Sequence, residues 1–242
     1  MKRQIPNLIT CLNVTSGTLA IFMVVYGDLF MAALLVLLAM IFDFFDGFVA
    51  RLLHVKSELG KELDSLADVV SFGVVPALLA HMLIRGTLGE GADYSLCAYF
   101  CLYIPVIIPA FSAYRLAKFN LDTRQSYSFI GMPTPANALF WVSLVLTAHF
   151  LPDFYASIWG FQWLLVCCVV LFSILLVVEL PMFSLKVTDF SWRTNWNRYL
   201  YFVVLLLLVL LLQLRVISFV IPLYLLFSLL GMMGAKCRRE VG

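Results

Sequence analysis

Asp43, Asp46, Asp64 and Asp68 place four carboxylates within 26 residues of chain whose surroundings are almost unbroken hydrocarbon. A carboxylate at membrane depth costs at least about 2.5 kcal/mol even on lenient insertion scales. Four in one helical hairpin require positive charge between them. Asp43 and Asp46 are three residues apart, and Asp64 and Asp68 four apart, so each pair shares one helix face. The short connection 52–59 folds the two helices antiparallel and aims both pairs into one groove. Gly47 and Gly60 remove side chains where helices or a substrate must come close, and Ala50 is nearly as small. All-oxygen ligands suit one or two hard cations such as Mg²⁺ or Mn²⁺. Paired metals about 3.5–4 Å apart assist phosphoryl displacement by stabilising the attacking and leaving oxygens. A carboxylate left unsaturated by metal can take a proton from a hydroxyl nucleophile. Arg51, one turn past Gly47, can bind a phosphate oxygen. The competing use of such a cluster is an ion or proton pathway in a transporter. The site's closeness to one interface, and the lack of repeats or broken-helix pairs, favour phosphoryl chemistry.

The elements that must position these carboxylates are membrane helices. The chain has 242 residues, 63% hydrophobic and only 12% charged, about half the charge of a soluble domain. Apolar runs of roughly 20 residues recur along it, and the ten-residue alternation of barrel strands is absent. The expected fold is therefore an all-α polytopic membrane protein with no separate soluble domain. Eight spans are expected, at about 9–27, 29–50, 62–84, 96–117, 136–151, 161–180, 199–213 and 216–234. Met1-Lys2-Arg3 before an apolar run resembles a signal peptide, but no small-residue cleavage site follows, so the first span is expected to be retained. With both termini cytoplasmic, 14 of the 16 basic residues fall on that side and only Arg85 and Arg215 on the other. That asymmetry puts the aspartates at the cytoplasmic face. The polar stretch 181–198 separates a core, residues 1–187, from a C-terminal segment, 188–242, whose Leu-rich hairpin is expected to face lipid or an interface. The six cysteines contain no C-x-x-C pair and read as apolar packing. His81 and His149 fall on the far side and read as structural.

The frame D-x2-D-G-x2-A-R-x8-G-x3-D-x3-D is met at every position by Asp43, Asp46, Gly47, Ala50, Arg51, Gly60, Asp64 and Asp68. It resembles the signature of the CDP-alcohol phosphotransferases. The resemblance covers roughly residues 1–187 and implies that family's six-helix core, with the last two helices as an added hairpin. It also implies a two-metal site binding a cytidine diphosphate lipid, attack by an alcohol on the lipid-linked phosphorus, and departure of cytidine monophosphate. Carried over, Asp43, Asp46, Asp64 and Asp68 are metal ligands, and Asp68 is also the general base. Gly47, Ala50, Arg51 and Gly60 border the nucleotide. Pro6-Asn7-Leu8-Ile9-Thr10 resembles the family's entry segment, whose Asn and Thr approach the nucleotide and phosphates; a helix N-terminal cap is the plainer use of Asn7 and Thr10. A homodimer is implied by the resemblance only.

The acceptor alcohol is read from a different stretch. Arg115-Leu116-Ala117-Lys118-Phe119-Asn120, followed by Phe129-x-Gly131-x-Pro133-x-Pro135-Ala136, resembles the phosphatidylserine synthases of this family, with Lys118 standing where Arg is more usual. The implied substrates are CDP-diacylglycerol and L-serine. Arg115 or Lys118 can supply the cation for a serine carboxylate, although glycerol 3-phosphate or inositol phosphate would want cations too. Both are also placed for interfacial snorkelling. Pro133 and Pro135 are expected to stiffen the turn before the fifth span. Glu179–Lys186 is similar to a serine-synthase segment ending in S-x-K, and through it Ser184 and Lys186 join the acceptor candidates.

Overall fold

The computed structural model describes residues 4–55, 57–88, 95–121, 131–179, 204–205 and 213–228. All regular elements among them are helical. A chain crossing hydrocarbon must satisfy every backbone N–H and C=O within itself, and the helix does so segment by segment. Helix α1 spans Gln4–Val25 and α2 spans Leu29–Leu52. They are joined by a tight turn in which Gly27 takes φ 85° and Asp28 caps α2 by accepting from the Met31 N–H at 2.9 Å. This is the most extensively packed helix pair. Its seam is built from small residues (Ala20, Ala32, Ala33, Ala39), all fully buried, which let two backbones approach closely.

After the 53–57 connection, Ser57 caps α3, Glu58–Asp68, by accepting from the Gly60 N–H at 3.3 Å. The helix does not stop at Asp68. It passes through a π-helical turn, Val69–Val74, into α4, Val75–Gly86. Pro76 at the start of α4 has no N–H to donate and would crowd the carbonyl one turn back. The ladder widens there, and the Val75 N–H reaches the Val70 carbonyl five residues behind. The 29 residues Glu58–Gly86 form one candidate span, with a π turn immediately after Asp68. Such turns often sit at functional sites.

Helix α5, Leu96–Tyr103, continues through a 3₁₀ turn at Ile104–Val106 into α6, Ile107–Leu121; α7 is Thr134–Phe150, α8 Pro152–Ile158 and α9 Gln162–Val177. Among the described residues, four helices are long and apolar enough to cross a membrane, and α8 with α9, bent by 77°, makes a fifth if counted as one span. The expected fifth span corresponds to α7, 17 residues long. Most of the expected seventh lies outside the described residues; the eighth is represented by a shorter apolar helix, Arg215–Ser228. The first and third spans begin earlier than expected, at Gln4 and Glu58. Polar residues there belong to the site, not to loops.

Polarity is distributed inside out. Leu8, Phe22, Phe44, Phe48, Leu66 and Phe100 are exposed, whereas Thr10, Asn13, Asp46, Asp68, Ser71, Ser112, Arg115 and Asn137 are buried. Hydrocarbon outside and polar groups toward the bundle interior are what a lipid solvent selects. Away from the polar groups the interior is aromatic: Phe140 stacks on Phe172 with ring centroids 4.2 Å apart. His81 Nδ1 lies 2.8 Å from the Leu102 carbonyl, and His149 stacks on Phe30. Both tie helices together, as a structural role requires.

Candidate active site

The site forms where the start of α1, the end of α2 and the start of α3 meet. Asp43, Asp64 and Asp68 can each offer a carboxylate oxygen, the three lying within 4.8 Å of one another. Three negative groups so close, in a site walled by helices, repel strongly at low dielectric. Asp64 Oδ1 is buried and has no hydrogen-bond partner in the protein. An orphaned carboxylate oxygen within an all-oxygen triad fits a divalent cation.

Asp46 stands apart from that triad. Its Oδ2 accepts from Thr10 Oγ1 at 2.7 Å, which ties the middle of α1's first turns to α2. The Thr10 hydroxyl also lies 3.1 Å from the Pro6 carbonyl one turn back, an alternative acceptor for its single proton, so it works from within α1 and not as an N-terminal cap. Asp46 and Asp64 both line a pocket of about 620 Å³, together with Asn7, Thr10, Gly47, Ala50, Gly60 and Lys61. That volume falls within the usual range for a small-molecule site. A Cβ added to Gly47 would meet nothing within 4 Å, so the helix offers bare backbone to open space. A Cβ at Gly60 would come within 3.0 Å of Asn7 Oδ1; that glycine makes room for Asn7. Arg51, exposed at the end of α2, is not part of the pocket wall.

The other side of the site comes from α6. Arg115 is only 9% exposed and acts electrostatically on Asp68. Its Nη1 donates to Thr134 Oγ1 at 3.4 Å, while its Nε has no partner. An arginine so deeply buried is no snorkelling residue. Lys118, by contrast, is partly exposed and pairs with Glu179 at 2.7 Å. Ser184 and Lys186 lie outside the described residues. Gly131 holds φ 79°, and a Cβ there would press within 3.2 Å of the Leu176 and Val178 carbonyls. The Met132 N–H donates to the Leu175 carbonyl at 3.1 Å. The glycine-proline segment is thus docked on the end of α9, and it delivers Thr134 to Arg115.

Three contributors were missed in the sequence. Lys61 lines the pocket and donates to the Asn120 carbonyl at 2.7 Å. Asn120 in turn donates from Nδ2 to Ser65 Oγ at 2.8 Å. Asn13, fully buried, donates from Nδ2 to Asp68 Oδ1 at 3.5 Å. The signal for Asn13 was its spacing: three residues beyond Thr10, it continues the same helix face.

A family model described as CDP-alcohol phosphatidyltransferase matches residues 3–175. The chain belongs to that family. The match takes in every element of the site, from the entry segment of α1 to Arg115 and the docked Gly131 segment. A CDP-diacylglycerol–serine O-phosphatidyltransferase of Helicobacter pylori is 34% identical over 232 residues, covering 93% of this chain and 89% of the relative. The enzyme of that description from Bacillus subtilis is 37% identical over 148 residues, 59% of this chain and 76% of the relative. An archaetidylserine synthase of Methanothermobacter thermautotrophicus is 33% identical over 159 residues, 64% of this chain and 60% of the relative. The aspartate triad therefore belongs to a membrane phosphatidyltransferase and not to a transporter's ion pathway.

Proposed function

We propose that the enzyme transfers the phosphatidyl group of CDP-diacylglycerol to the hydroxyl of L-serine, giving phosphatidylserine and cytidine monophosphate. One observation carries the choice of serine. A relative named for that reaction matches along nearly the whole of both chains, including the α6–α7 stretch in which a buried Arg115 faces Asp68. Asp43, Asp46, Asp64 and Asp68 would hold two divalent ions, Mg²⁺ or Mn²⁺, with the 4.8 Å triad as support for three of them. Bound there, the ions supply charge neutralisation for the phosphates and polarise the phosphorus toward attack.

The protein's own residues do the rest. Asn7, Thr10, Gly47, Ala50 and Gly60 shape the pocket for the nucleotide and its phosphates; Arg51, one turn beyond Gly47, meets the phosphate or nucleotide from the outer rim. Asp68 takes the hydroxyl proton as the oxygen bonds to phosphorus and the bond to the cytidine monophosphate oxygen breaks. Arg115 holds the serine carboxylate, and a fixed guanidinium fork suits that task. Lys118, tethered to Glu179, together with Ser184 and Lys186, completes the acceptor side. The wider reading has a six-helix core over residues 1–187 and a hairpin in 188–242. Eight spans with both termini and the site at the cytoplasmic face are supported by the basic-residue asymmetry. Homodimerisation rests on family resemblance alone.

The test is an acceptor competition. Purified enzyme with CDP-diacylglycerol and Mg²⁺ or Mn²⁺ receives L-serine, glycerol 3-phosphate and inositol phosphate together, and the lipid products are separated by chromatography. Phosphatidylserine as the dominant product is expected. A dominant glycerol- or inositol-containing phospholipid would overturn the choice of serine while leaving the reaction class intact.

A further inference from the structure

Asn13 has an unfinished hydrogen-bond inventory. A carboxylate can only accept, so the Asn13 amide must turn its Nδ2 toward Asp68 Oδ1. That leaves Asn13 Oδ1 fully buried with no partner. The backbone carbonyl of the same residue accepts from Ser71 Oγ at 3.1 Å, so the residue is pinned between α1 and the π turn. A buried acceptor without a donor is rare and costs about 1–3 kcal/mol. On the other helix facing Asp68, Arg115 Nε is a buried donor without an acceptor. Arg115 and Asp68 act on each other electrostatically without appearing as a direct ion pair. Asp68, the acceptor that takes the hydroxyl proton, is thus flanked from α1 by Asn13, whose amide oxygen is orphaned, and from α6 by Arg115, whose Nε–H is orphaned.

We propose that Asn13 is a specificity-determining residue whose Oδ1 accepts a hydrogen bond from the ammonium group of an amino-acid acceptor, while Arg115 takes the carboxylate. A zwitterion with a hydroxyl supplies one donor, one acceptor and one proton for Asp68, which satisfies all three groups at once. A phosphorylated polyol offers no ammonium, only neutral hydroxyl donors, whose bond to the Asn13 oxygen lacks charge assistance. Sites built around a substrate N–H or O–H reject analogues lacking it strongly, because their own buried groups are then stranded. The inference rests on the serine reading above.

The experiment compares L-serine with 3-hydroxypropionate, which keeps the hydroxyl and carboxylate but has no donor in place of the ammonium. It uses the full-length enzyme and its Asn13→Ser and Asn13→Ala variants, with KM and kcat measured for each acceptor at saturating CDP-diacylglycerol. In the unaltered enzyme L-serine is favoured. In the variants the ratio of kcat/KM for serine to that for 3-hydroxypropionate falls by about 10-fold or more, carried mainly by KM for serine, with KM for CDP-diacylglycerol unchanged. If Asn13 only orients Asp68, kcat falls equally with both acceptors and the ratio holds, which overturns the proposal. Should the Ala variant fail to fold, the smaller polar Ser variant still decides between these outcomes. Absence of any serine product from the unaltered enzyme would instead overturn the serine reading, and this inference with it.

Discussion

At the scale of single residues the site is a problem in like charge. Asp43, Asp64 and Asp68 crowd within 4.8 Å, and Asp64 Oδ1 has no protein partner. Asp64→Asn is therefore expected to stabilise the metal-free protein in detergent, because it removes repulsion, while abolishing the stabilisation that added Mn²⁺ gives the unaltered protein. Thermal melts with and without chelator check both signs. A ligand at 100 times its Kd contributes about 2.7 kcal/mol to stability, so the increment is readily measured. Asp68→Asn is expected to cut turnover by about 10²-fold or more, with the melt and CDP-lipid binding retained. Near-normal turnover in that variant would remove Asp68 from the role of base. At Gly60 an added methyl meets Asn7 Oδ1 at 3.0 Å, so Gly60→Ala should raise KM for CDP-diacylglycerol several-fold and leave kcat almost untouched. The aspartates were legible in the sequence because charge in an apolar run is conspicuous. Asn13 was not, because an uncharged amide on a helix face carries no such contrast until its partners are known.

At the scale of elements, two close contacts decide how the helices carry these residues. Gly17 of α1 faces Ser71 in the π turn, and an added Cβ would lie 2.9 Å from the Ser71 backbone Cα. Backbone cannot rotate away as a side chain can, so Gly17→Ala should destabilise the protein by about 1–3 kcal/mol, read as a lowered melting temperature in detergent. It should also lower activity, since α1 carries Thr10 and Asn13. Helix existence was legible from runs of hydrocarbon, but helix ends were not. Polar Gln4–Thr10 and Glu58–Asp64 look like loop in a hydropathy profile, yet they are the helical walls of the pocket. The π turn had one visible cause, Pro76, but nothing in local composition distinguishes a widened turn from an ordinary proline kink. The turn before α7 could be read as stiff from its prolines. That it clasps the end of α9 depends on Gly131 φ and the Leu175–Val178 carbonyls, which are contacts between distant parts of the chain.

At the scale of the whole molecule the protein turns polar groups inward and hydrocarbon outward, so a soluble headgroup chemistry runs beside a lipid-facing surface. The pocket is walled by α1, α2 and α3, while α6 and α7 carry the proposed acceptor side; the proposed reaction requires both halves in register. The span from Glu58 to Gly86 joins those halves, and its π turn carries one residue more per turn than an α-helix. Shortening this span by a single residue within Val69–Val74 would let the wide turn close into ordinary α-helix. Each residue of helix advances the face by about 100°, so Asp64 and Asp68 would be swung relative to the part of the span that packs in the membrane core. Such a deletion should leave hydropathy and insertion intact and silence the enzyme, whereas conservative substitutions at Val69 or Val70 should be tolerated. The length of this one turn, more than the identity of its valines, sets the register in which the carboxylates meet the rest of the bundle.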